Sequence, residues 1–194
     1  GALARLVRAV DTFGFHLATL DLRQNSDVHE RVVGELLSAA GVCDDYDSLN
    51  EEQRIELLLG ELSHNRPLAD QWHSYSEETN TELAIVRAAA EAQARYGVGC
   101  ITHYNISKTE SVSDMLEVYI MLKEAGIYRA PLGDRPVSAT IMAVPLFETI
   151  GDLEAAPEVM KRFLSLEPML ELARARGHQE VMIGYSDSNK DGGY

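Results

Sequence analysis

Apolar side chains recur along this chain in two rhythms, one of three to four residues and one of two, and the changes of rhythm mark out its elements. Leu3, Leu6, Val7 and Val10 share one side of a helix predicted over residues 2–12, which Phe13-Gly14 ends. A strand is predicted over residues 16–22, leaving Arg23, Gln24 and Asn25 in the turn that follows. The next helix starts near Ser26 or Asp27, turns Val32, Val33, Leu36 and Leu37 to one side, and stops at Gly41. Ser48 with Glu51 reads as a capping box ahead of Ile55, Leu57, Leu58 and Leu59. Ser76 opens a second, alanine-rich helix that ends near Gly97.

Beyond Gly97 the pattern becomes regular. A strand over residues 98–106 precedes a helix over 113–125, and Gly126 leads to a strand over 137–147. Helical segments divided by Pro168 follow, then a fourth strand over 180–185 whose exit is rich in turn residues. Strands alternating with helices pair in parallel through right-handed crossovers, and the continuous apolar run over 139–147 suits a strand covered on both faces. The fold class is α/β. Four strand-helix units are too few for a closed eight-stranded barrel, and Asp21-Leu22-Arg23-Gln24 stands where a doubly wound sheet would more often carry a glycine-rich loop. No linker or repeat divides the chain, so residues 1–194 read as a single segment.

Composition narrows the function classes. The 194 residues are 45% hydrophobic and 25% charged, a globular balance. No apolar run approaches the roughly 20 residues of a membrane-spanning helix, so no membrane association is expected. Seventeen basic against 31 acidic side chains give a net charge of −14, which disfavours a nucleic acid as partner. Cys43 and Cys100 lack ligand spacing and read as free thiols of a reducing cytoplasm. The six histidines fall where structural or solvated roles are expected.

In parallel sheets and barrels, reactive groups sit where strands end and helices begin. Three such junctions are charged. In Asp21-x-Arg23, period two puts both side chains on one face; the arginine offers a planar fork to a carboxylate or phosphate, or the two pair with each other. Glu148 emerges directly from the most hydrophobic strand, either as a ligand or as a helix-capping or solvated residue. The segment from Gly184 to Gly193 concentrates Asp187, Asn189, Lys190 and Asp191 in a glycine-flanked turn, as a site or as an ordinary surface turn. Glu148 and Asp187 at neighbouring strand ends would supply two hard oxygen ligands suited to Mg²⁺ or Mn²⁺.

Phe13-Gly14 through Asp21-Leu22-Arg23-Gln24, Arg66-Pro67-Leu68, Leu122-Lys123-Glu124-Ala125-Gly126, Val144-Pro145-Leu146-Phe147-Glu148-Thr149 and Met182-Ile183-Gly184-Tyr185-Ser186-Asp187-Ser188 through Gly192 occur in an order that resembles the phosphoenolpyruvate carboxylases of bacterial type. The resemblance covers essentially the whole chain, and its two most specific segments are PLFET and GYSDSxKDxG. It implies a (β/α) TIM-type barrel with extra helices, of which this segment supplies about four consecutive strands as an incomplete domain. It also implies a lyase of carbon dioxide fixation that feeds the tricarboxylic acid cycle. Phosphoenolpyruvate and bicarbonate would give oxaloacetate and phosphate, through carboxyphosphate and a pyruvate enolate, in a cytoplasmic homotetramer.

By that resemblance Glu148 and Asp187 hold the divalent metal, Arg23 grips phosphoenolpyruvate, and Lys190 stands near the bicarbonate side. Asn25 replaces a frequent family glutamate, and Ile106-Ser107-Lys108-Thr109 departs from the usual Ile-Ser-Met-Ala. The family's Thr-Ala-His-Pro histidine and its glycine-rich loop bearing arginines do not occur in these residues, so the segment alone is expected to be inactive, and to self-associate or be partly disordered because strand edges and an apolar face are left uncovered. Two other readings stand beside this one: a non-catalytic folding or assembly unit, and another Mg-dependent enzyme of phosphoenolpyruvate or pyruvate.

Overall fold

The computed structural model describes residues 1–14 and 16–192. Its elements run α1 (Ala2–Phe13), β1 (Leu20–Asn25), α2 (Ser26–Ala39), α3 (Glu51–Leu62), α4 (Glu77–Tyr96), β2 (Ile101–Ser107), α5 (Val112–Glu124), β3 (Tyr128–Arg129), β4 (Ser138–Ala139), β5 (Met142–Phe147), α6 (Ile150–Ser165), α7 (Glu167–Arg176), β6 (Met182–Ile183) and α8 (Tyr185–Gly192). β1, β2, β5 and β6 form one sheet in that order, each neighbouring pair parallel. Among the described residues the sheet does not close, so the α/β reading holds as a partial β/α fold.

β1 lies later than the hydrophobic pattern predicts. Leu17 sits in the left-handed region at φ 65° and Ala18 N–H bonds His16 O at 2.7 Å, so the chain turns where extension was expected. The strand then runs on through Arg23 and Gln24 to Asn25, which pairs with Ser107 of β2. The run expected over 137–147 is two strands, because Ser138–Ala139 pairs back on Tyr128–Arg129 as a small hairpin. β2 starts at Ile101, after a 3-10 turn at Val98–Cys100. The expected exit turn is the helix α8, since serine, aspartate and asparagine suit the start of a helix as well as a turn.

Capping is also displaced by two residues. Asn50, not Ser48, caps α3 in a reciprocal box with Gln53, while Ser48 Oγ closes the preceding 3-10 turn on Asp45 O. Glu51 is thereby free to accept the Val112 and Ser113 N–H groups at 3.0 and 3.1 Å, tying α3 to the start of α5. Ser76 caps α4 as expected, and Gly177 ends α7 in the left-handed conformation.

Every residue of α5 from Val112 to Lys123 is buried among α2, α3, α4, α6 and the sheet. A helix enclosed on all sides is normally apolar all round, yet this one carries buried polar groups that must be satisfied internally. Glu117 accepts from Tyr46 Oη at 2.9 Å, and Lys123 Nζ donates to Glu61 O at 2.8 Å. Burial, then nearby Asp114, holds the Glu117 carboxyl well above its usual range. Asp114 itself is pushed up to about 6, chiefly by burial. At the other extreme α1 buries none of its residues, and Leu3 is 74% exposed.

Candidate functional site

Pleating gives the sheet two unlike faces. Tyr104, Ile106 and Ala143 point into the core against the helices. On the opposite face, register aligns Asp21 with His103, Arg23 with Asn105, and Asn25 with Ser107. Asp21 and Arg23 therefore share a face, as period two requires, but they do not pair with each other. Asp21 lies 3.3 Å from His103 Nδ1 and accepts from Asn105 Nδ2 at 3.4 Å, while Arg23 Nε donates to Ser107 Oγ at 2.9 Å. Arg23 is thus a residue of β1 itself rather than of the turn after it.

Glu148 follows β5 directly and meets Arg23 across the strand ends. Arg23 Nη2 lies 3.8 Å from Glu148 Oε1, an ion-pair distance too long for a hydrogen bond. The Arg23 side chain is 58% exposed and that of Glu148 17%. Glu148 is not the cap of α6, because Thr149 and Asp152 fill that role with a complete capping box. Its Oε1 is buried with no hydrogen-bond partner among the described residues. A buried carboxylate oxygen without a donor is costly, and a hard divalent cation is one group that would satisfy it. Gly184 packs beside it: a Cβ there would come within 3.2 Å of Glu148 Cα and Cγ, and Gly184 N–H bonds Phe147 O at 2.9 Å.

The structure therefore brings Arg23 and Glu148 together. The side chain of Asp187 lies outside the described residues, and Lys190 stands exposed on the last turn of α8. Among the described residues no group of three or more histidine, cysteine, aspartate or glutamate side chains is arranged to hold a metal.

Three polar residues of this face, His103, Asn105 and Ser107, carry no role in the sequence reading. Their signal is the alternation His103-x-Asn105-x-Ser107, with aromatic Tyr104 and apolar Ile106 between them. His103 bridges two carboxylates, Asp21 on one side and Glu180 at 3.3 Å on the other. His29, by contrast, is a core residue: its Nε2 lies 3.2 Å from Tyr104 Oη, and burial lowers its pKa to about 4.

Residues 1–194 match the family described as phosphoenolpyruvate carboxylase. A phosphoenolpyruvate carboxylase of Azorhizobium caulinodans is 55% identical over 195 residues, covering 100% of this chain and 20% of the relative. The one from Ralstonia nicotianae is 52% identical, covering 99% of this chain and 20% of the relative. That of Aromatoleum aromaticum is 54% identical, covering 100% and 21%. The chain thus spans about a fifth of the length of the curated relatives it matches.

Proposed function

Since the chain belongs to the phosphoenolpyruvate carboxylase family, we propose that it supplies part of the active site at which phosphoenolpyruvate and bicarbonate become oxaloacetate and phosphate. The observation that carries this is the pairing of a half-exposed arginine fork with a buried carboxylate oxygen that has no donor among the described residues, at the C-terminal ends of parallel strands.

Each residue has a task set by its chemistry. Arg23 holds the anionic substrate, its guanidinium presenting two parallel donors to phosphate or carboxylate oxygens. Glu148, with Asp187, would hold Mg²⁺ or Mn²⁺. When bound, the cation stabilises negative charge developing on the substrate oxygens. Lys190 contributes an ammonium on the bicarbonate side. Two features leave the Glu148 carboxylate available for such a role: Thr149 and Asp152 cap the helix behind it, and Gly184 leaves room for its stem.

The setting follows from the same family: a lyase of the cytoplasm that fixes bicarbonate carbon and feeds the tricarboxylic acid cycle as a homotetramer. No described helix is long and apolar enough to cross a membrane. Because a histidine and an arginine-bearing loop are expected from elsewhere in the family sequence, residues 1–194 alone should form no oxaloacetate. Placed within a full-length relative in exchange for its own corresponding segment, they should restore turnover. A chimaera that folds and binds metal yet makes no oxaloacetate would overturn the proposal.

A further inference from the structure

Resting on that reading of Arg23, we propose that Ser107 is the positioning residue that orients the Arg23 guanidinium for its anionic ligand. Arg23 is a long side chain, 58% exposed, and would otherwise sample many rotamers. Among the described residues one directional bond ties it: Nε donates to Ser107 Oγ at 2.9 Å. Ser107 is 5% exposed at the end of β2, where its backbone is pinned in register opposite Asn25, so the acceptor is held by the sheet.

Geometry and charge both favour this hydroxyl. Binding at Nε fixes the guanidinium plane while leaving the Nη edge aimed toward Glu148, 3.8 Å away. A hydroxyl is a neutral acceptor, so the full positive charge of Arg23 remains available to a dianion; a carboxylate at the same position would neutralise it. If Glu148 is engaged by a cation, Ser107 is the contact that still holds the fork. Preorganising a flexible donor in this way lowers the ordering cost of binding.

The test uses a full-length relative carrying residues 1–194, assayed with phosphoenolpyruvate and Mg²⁺. Ser107→Ala is expected to raise the KM for phosphoenolpyruvate roughly 5- to 20-fold with kcat changed less than about 2-fold, the pattern of lost uniform binding. Ser107→Cys, which fills similar space with a poor acceptor, should do the same, and Ser107→Thr, which keeps the hydroxyl, should restore a KM near that of the parent. In an Arg23→Lys background, which has no Nε donor, Ser107→Ala should add less than about 2-fold.

An unchanged KM in Ser107→Ala and Ser107→Cys, or the same factor in both backgrounds, would overturn the inference while leaving the role of Arg23 intact. An unchanged KM in Arg23→Lys and Arg23→Ala would overturn the reading of Arg23 itself, and the inference with it.

Discussion

On the helix side of the sheet, Tyr104, Ile106 and Ala143 join α5 in one continuous core; on the other side the alternate residues of β1 and β2 bond one another through polar side chains. The two faces belong to the same strands, one residue apart. The first is held by area removed from water, and the second by short-range directional bonds that leave Arg23 half in solvent. If the polar face carries the proposed chemistry, folding and function occupy separate faces, so substitutions on one should leave the other's observable nearly untouched.

The strongest way to break that separation is to change Glu148. Glu148→Ala should lower kcat/KM of a full-length enzyme carrying this segment by about 10³-fold, through loss of a metal ligand, while the melting temperature stays near that of the parent. Ile120 is fully buried on α5, and Ile120→Ala should do the opposite, costing about 2–5 kcal/mol in denaturant unfolding with the KM of the folded fraction preserved.

Gly184 packs against Glu148 just beyond β6. Its missing Cβ leaves 3.2 Å to Glu148, so Gly184→Ala should displace that carboxylate and weaken Mn²⁺ affinity roughly 10-fold, with little change in melting. The smallest effect lies in the core and depends on pH. The Glu117 carboxyl is raised above its ordinary 4.5 when folded, so its contribution to stability is fully present below about pH 4.5 and is lost as pH rises through the folded value. Glu117→Gln should flatten that decline in unfolding measured against pH, by about 1 kcal/mol or more once the Tyr46 bond is kept.

Much of the helix side was legible because burial writes a period into the sequence: Val32, Val33, Leu36 and Leu37 face the core as their spacing says, and Ser76 caps α4. The polar face was legible only in part. Asp21 and Arg23 were correctly put on one side, but their partners come from β2, some 80 residues away, and pairing across strands leaves no local signal. The position of β1 slipped because the turn at residues 16–19 depends on a left-handed Leu17, which nothing about leucine announces. The Ser48 cap failed for a related reason: Asn50, two residues on, competes for the same helix start and wins by closing a reciprocal box with Gln53.

In the proposed site Glu148, beside Arg23, is a ligand to a divalent cation. The direct measurement is a Mn²⁺ titration followed by electron paramagnetic resonance, comparing the parent protein with Glu148→Ala and Asp187→Ala. Saturable Mn²⁺ binding is expected in the parent, weakened at least about 10-fold in each variant. Equal, weak binding in all three would contradict it and leave these carboxylates without a metal.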